Sequence, residues 1–429
     1  MSEPQPAHVR SVQADSAPAG LSAGLELRRG WKIIVASAIG FGLGLSGIPF
    51  YTMGAFIDPL RTEFGWPVST ITAGLTIEYL MVMLVLPFVG RLVDRRGARS
   101  VALASLGLFS ISYMSLGLSN GSLWLYYASW LALSVAGAGT MAVTWGRAIT
   151  QVFTVARGRA LGLTLIGSGL TGFFGLALSR WLIQTIGWRL AFVALGALPL
   201  LIAAPIVFAV FKPFHLRPER LQQTSAERAH AKPPLGRRFW LMGAAFMLVA
   251  TGVTGLVPNL IKILTTAGIG GGSAVAAASL VGLFVIFGRL ACGALLDLFW
   301  APAVGAVFLL LPSFACLLLF LRPLTPIQAA AAAALIGLAA GAEFDLMPYL
   351  VSRYFNPRHF AATLGGISRF FYLGAALSGP SLGLAYDRFG DYRPGLAVSG
   401  VLCVAGTLSL LSLGKYPASR APDGLAGAP

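Results

Sequence analysis

Twelve runs of apolar residues, each close to the roughly twenty that a helix needs to cross a bilayer, constrain this chain more than any other feature. They fall near residues 31–56, 68–89, 100–118, 122–149, 158–181 and 188–211, and again near 239–264, 273–296, 302–321, 326–351, 360–385 and 393–413. With 56% hydrophobic and 11% charged residues, and a mean hydropathy of +0.78, the chain cannot cover a soluble core with polar surface. The sequence therefore predicts an all-α membrane protein of twelve transmembrane helices. The net charge of +16 would suggest nucleic acid in a soluble protein, but here the basic residues sit in short loops between apolar runs. Nucleic acid is not expected as a partner; anionic lipid is.

The placement of Lys and Arg also orients the chain. On the side of the two ends and the central polar segment lie 21 of them, against seven on the other side, which predicts that both termini are cytoplasmic. Residues 1–30 and 416–429 are expected to be disordered tails, since neither contains an apolar run. Residues 212–238 form the one long polar interruption and are expected to link two six-helix bundles, 31–211 and 239–415. An internal repeat supports this division. At an offset of 203 residues Gly65 meets Gly268, Gly90 meets Gly293, Asp94 meets Asp297, Gly162 meets Gly365 and Gly187 meets Gly390. Two homologous halves are the mark of a transporter built from repeats.

Charges inside spans are costly and mark function. Arg289 stands eight residues before Asp297, about 12 Å of helix from the span's end and so near the midplane. Its repeat partner is Leu86, so no duty shared by the two halves explains it. A guanidinium presents a planar fork that matches a carboxylate. Arg369, partnered with Ile166, is a second cation candidate, for the same anion or for a gate. Arg147 lies nearer the inner surface, where it can snorkel. Glu78, Glu343 and Asp345 are the candidates for proton coupling, Glu343 first among them. Glu343 and Asp345 sit about 200° apart on a helix, so no more than one should touch a solute. Tyr51 and Tyr372 are candidate solute contacts, with Tyr79, Trp145, Phe284 and Tyr349 as further aromatic residues able to line a cavity. Cys292, Cys316 and Cys403 lie in apolar stretches without metal-like spacing, so neither a metal nor a disulfide is expected. No nucleotide-binding glycine loop occurs, and the four histidines form no catalytic or metal-binding group, so neither a cofactor nor an enzyme activity is expected.

The loop Gly90-Arg-Leu-Val-Asp-Arg-Arg-Gly-Ala-Arg99 resembles the signature between the second and third helices of the major facilitator superfamily. Gly90, Asp94, Arg95, Gly97 and Arg99 match it, and Ala98 replaces an arginine. The resemblance implies the major facilitator fold and, with Asp297 as the repeat of Asp94, a loop that gates conformational change. Further stretches are similar to the monocarboxylate-transporter-like and oxalate/formate-antiporter-like branch. They are Tyr51 to Leu60 with Phe64-Gly-Trp66, Arg157 to Gly162, Gly187-Trp-Arg189, Gly288-Arg289, and Gly379-Pro380 with Tyr386-Asp387 and Gly390. In that branch an arginine of span eight holds the substrate carboxylate, which implies that role for Arg289. The chain departs from the branch in lacking a lysine in the core of span one, in carrying Arg369 about a turn from the span-eleven lysine, and in having Val285 where an aspartate stands one turn before the arginine. Glu78, Glu343 or Asp345 would have to substitute. The expectation is a monomeric secondary transporter in a bacterial plasma membrane, moving a small organic acid, a monocarboxylate, with protons. Exchange of organic anions without protons and efflux of apolar compounds are the alternatives, and a non-transporting receptor a distant fourth.

Overall fold

The computed structural model describes residues 23–211, 235–356 and 359–416, and every regular element among them is helical. The expectations for the outer parts of both tails and for most of the central segment fall outside the described residues. Helix α1, Ala23–Gly42, and α2, Ile48–Phe64, make the first span, so residues 23–30, assigned above to the tail, form the opening turns of α1. There follow α3 (Val68–Arg96), α4 (Ala98–Met114), α5 (Leu123–Gly137) and α6 (Ala142–Val152). Helix α7 runs Arg157–Leu198 but turns at Gly187, whose φ of 81° only glycine adopts readily, so it supplies spans five and six, completed by α8 (Ala204–Val210). The second half comprises α9 (Arg237–Val253), α10 (Leu256–Thr266), α11 (Gly271–Leu298), α12 (Ala301–Phe320), α13 (Pro326–Tyr354), α14 (Phe360–Phe389) and α15 (Arg393–Leu411). Eight helical stretches among the described residues are long and apolar enough to cross a membrane, one of them covering spans five and six. Spans one and four are broken into shorter helices, and α14 carries the charges of span eleven. The architecture is the all-helical, twelve-span arrangement of two six-helix bundles.

The break in span one follows from its glycines. An ideal Cβ at Gly42 would lie 2.4 Å from the Gly167 carbonyl oxygen, so α1 and α7 touch backbone to backbone. The polar groups freed by the break are taken up by threonines. Thr171 Oγ1 donates to the Gly42 carbonyl at 2.8 Å, and Thr140 Oγ1 accepts from the Leu45 N–H at 2.9 Å. Irregular backbone at membrane depth requires such partners.

The two halves meet most extensively along two seams, α3 with α14 and α7 with α11, with α2 touching α10 beside them. The repeat relates span two to span eight and span five to span eleven, so the second seam is the first with the halves exchanged. Their contents differ. In one, an ideal Cβ on Gly282 would lie 2.1 Å from the Phe173 backbone nitrogen, and ideal Cβ atoms on Gly169 and Gly172 would lie 2.8 Å from Gly282. In the other, Tyr79 and Tyr372, the repeat counterparts of Gly282 and Gly169, face each other with ring centroids 6.5 Å apart.

Polar contacts between the halves gather at the face opposite the chain ends, called here the far face. Asp387 at the end of α14 caps the start of α3, accepting from the Val68 and Ser69 N–H groups at 2.9 Å each and from Ser69 Oγ at 2.6 Å. Lys262 pairs with Asp58 at 2.6 Å, Arg61 donates to the Tyr386 hydroxyl at 3.2 Å, and Arg180 donates to the Gly271 carbonyl at 3.0 Å. The far face is thereby shut.

Candidate functional site

A cavity of about 310 Å³ lies between the two halves and extends toward the tail face, as far as Leu364 near the start of α14. Both halves line it: Tyr51, Glu78, Tyr79, Val82 and Leu86 from one, Val285, Arg289, Glu343, Phe344, Phe371 and Tyr372 from the other. Val82 and Leu86 are the repeat counterparts of Val285 and Arg289, so the two halves present matching helix faces to the cavity with a charge on one of them.

Arg289 is brought into place by close helix packing. An ideal Cβ on Gly288 would lie 2.2 Å from the Leu338 carbonyl oxygen, and one on Gly341 would lie 2.1 Å from that of Val285. Glycine at both points lets α11 and α13 approach until Arg289 Nη1 donates to Asp345 Oδ1 at 3.0 Å. The arginine side chain is 5% exposed and the aspartate 25%. The pairing leaves Arg289 Nε buried without a hydrogen-bond partner. Asp345 is not among the residues lining the cavity, whereas Glu343, two residues earlier on α13, is.

Glu78 and Glu343 are each 4% exposed. Glu78 Oε2 and Glu343 Oε1 are buried without a partner. An orphan of this kind is rare in folded proteins and calls for an explanation. The three residues that hold such atoms, one donor and two acceptors, line a single cavity whose remaining wall is largely apolar and aromatic. Tyr51, buried, and Tyr372, half-buried, join that wall; Arg369 is exposed and does not. Of the other aromatic candidates Tyr79 lines the cavity, while Trp145, Phe284 and Tyr349 do not.

At the tail face Gly97 adopts φ 81°, which ends α3 and turns the chain directly into α4. Asp94 pairs with Arg147 at 3.2 Å, so Arg147, expected to snorkel, has an acid for its head group. Arg99 donates to the Phe208 carbonyl at 2.9 Å and lies over the Phe208 ring. Arg95 is exposed, and the surroundings of Gly90 are open. Asp297 belongs to α11; its side chain lies outside the described residues. Sequence reasoning missed the cap formed by Asp387 and the role of Glu26, which binds the turn before α7. Glu26 Oε2 accepts from the Ala156 and Val155 N–H groups at 2.6 and 3.0 Å, and Oε1 from that of Thr154 at 2.6 Å. The one sequence hint to Asp387 was its place in the Tyr386-Asp387 dipeptide; nothing singled out Glu26.

The sequence model of the Major Facilitator Superfamily matches residues 39–370. The human protein Monocarboxylate transporter 11 is 26% identical over 92% of this chain and 85% of its own length. An uncharacterized 38 kDa protein of Thermoproteus tenax is 30% identical over 83% of this chain and 88% of its own. Among solved structures, a bacterial homolog of the human lysosomal transporter Spinster, inward-facing and occupied, superposes with a TM-score of 0.65 at 19% identity, covering 90% of this chain and 95% of that one. The nucleoside transporter NupG superposes with a TM-score of 0.73 at 12% identity, covering 90% and 99%. At these identities the structural likeness speaks for the fold.

Proposed function

The chain belongs to the Major Facilitator Superfamily, and from that premise we propose that this membrane transporter carries a small organic monocarboxylate together with a proton, by secondary active transport with alternating access. The observation that carries the reading is Arg289, a buried guanidinium on the cavity wall, held on one side by Asp345 and with its Nε–H unpartnered. A carboxylate is the solute group whose shape and charge that fork fits. The similarity to a monocarboxylate transporter along most of the chain points the same way.

The same pair supplies the coupling. In the empty site Asp345 neutralises Arg289. A substrate carboxylate arriving there would place two anions on one cation inside a low-dielectric wall, at a cost of several kcal/mol. A proton bound to Asp345 removes the excess charge and leaves Arg289 to the substrate. The empty and loaded sites then carry equal charge, so both can change state, whereas anion without proton cannot. In this scheme Asp345, the acid in contact with Arg289, carries the proton ahead of Glu343 and Glu78. By the positive-inside bias the tail face is cytoplasmic, in the plasma membrane of a bacterium.

Uptake of small labelled monocarboxylates into proteoliposomes, driven by an inwardly directed proton gradient, tests this. Arg289→Ala strands Asp345, and breaking a buried pair this way costs about 3–5 kcal/mol, so the decisive variant is Arg289→Gln combined with Asp345→Asn, which leaves no lone charge. Loss of carboxylate uptake by that variant at normal abundance is expected; unchanged uptake overturns the assignment. Uptake that needs preloaded substrate and ignores the proton gradient would replace symport by exchange.

A further inference from the structure

We propose that the central cavity selects carboxylates that also carry a hydrogen-bond donor, a hydroxyl or an ammonium group, on an apolar body. The inference rests on the reading of Arg289 as the carboxylate anchor and concerns the opposite end of the solute. Glu78 on α3 and Glu343 on α13 line the same cavity from different halves, each 4% exposed. Neither makes a hydrogen bond or an ion pair among the described residues, and Glu78 Oε2 and Glu343 Oε1 are wholly buried. Arg289 is the one cation among the described residues lining the cavity, and Asp345 already holds it. The two glutamates are therefore not placed there to neutralise it.

Nor does the scaffold require them. Their repeat counterparts are Val281 and Thr140, so the same helix positions in the other half are filled without an acid. A buried polar group kept without a partner is a standing cost, and a partner delivered by the solute recovers it. What the two carboxyl groups offer is acceptor oxygen, which matches a donor on the solute. A plain alkyl carboxylate brings none and leaves the acceptors stranded. A hydroxy acid or amino acid brings one within a few bonds of its carboxylate, while Phe50, Phe344 and Phe371 face its apolar part.

The test uses purified full-length protein and two solute series, each on a single carbon skeleton. One comprises propionate, lactate and alanine; the other 3-phenylpropionate, 3-phenyllactate and phenylalanine, with 2-phenylethylamine as the amine lacking a carboxylate. Dissociation constants are measured by titration calorimetry. In at least one series a donor-bearing acid is expected to bind about tenfold or more tightly than the unsubstituted one. That ratio should fall toward one in Glu343→Met or Glu78→Met, and return for the hydroxy acid in the matching Gln variant, whose amide oxygen still accepts. Equal binding of the three acids in both series, dependent on Arg289, overturns the selection and leaves the carboxylate reading standing. No binding of any acid, or tighter binding of 2-phenylethylamine than of every acid, overturns the Arg289 reading and this inference with it. The wild-type ratio needs no variant, so a misfolded mutant does not shield the proposal.

Discussion

At the scale of single residues, the proposed mechanism uses the Arg289–Asp345 pair to separate binding from coupling. Asp345→Asn keeps a hydrogen-bonding group beside Arg289 but can no longer gain and lose a proton. Its expected phenotype is retained substrate exchange with accumulation against a gradient lost, at least about tenfold below wild type, because a site of fixed charge passes the anion without linking it to a proton. Counterflow and gradient-driven uptake in the same proteoliposomes read the two quantities separately; loss of both, or of neither, contradicts the assignment. Arg289 itself was legible in the sequence, since counting back from Asp297 places it near the midplane and the repeat leaves it unmatched. Its partner was not. Asp345 reaches it only because Gly288 and Gly341 bring two helices to backbone contact, and sequence spacing does not report contact between different helices. The exposure of Arg369 was likewise hidden, because the face that a helical position presents depends on the neighbours it packs against.

At the scale of elements, the first helix is fastened at its beginning as well as along the face it packs on α7. The Ala156 N–H, then that of Thr154, holds the Glu26 carboxylate below the ordinary glutamate value of 4.5. A lowered value in the folded state means that this contact contributes fully above about pH 4.5 and is lost as pH falls through the lower folded value. Glu26→Gln should therefore lower thermal stability relative to wild type at neutral pH, with the difference shrinking as the pH is taken below 4.5; melting curves in detergent across that range check it, and a constant difference would refute it. The twelve apolar runs matched the number of spans, but the breaks in spans one and four were not foreseen, because glycine marks where a helix can part and not which threonine will satisfy it. Glu26 was assigned to a disordered tail because polar composition alone cannot tell a free segment from one whose acid finds three N–H groups far along the chain.

At the scale of the whole molecule, the shut far face is held by a few polar contacts, with Asp387 on the start of α3 the most connected. Removing an exposed cap of this kind costs about 1 kcal/mol, or about fivefold in the balance between states. Asp387→Ala, which removes the accepting oxygens, should therefore enrich the form closed at the tail face by about that factor. Spin labels on Val155→Cys and Ser352→Cys, in exposed positions at the tail face of different halves, would report it as growth of a shorter distance; the native cysteines are buried and do not compete. An unchanged distance distribution would assign the lock to the Lys262–Asp58 and Arg61–Tyr386 contacts instead.

The unequal seams carry a mechanical consequence. Where Gly169, Gly172 and Gly282 press backbone on backbone there is no slack to take up, so that line suits a fulcrum. The other seam is as tight at its far end, where Gly383 closes on Ser69, but its stretch at Tyr79 and Tyr372 has side chains that can rotate aside and lies against the cavity, so that stretch suits the swinging edge. In the proposed cycle such a scaffold works as a lever, with the glycine line as its fixed end and the tyrosine line as its free end.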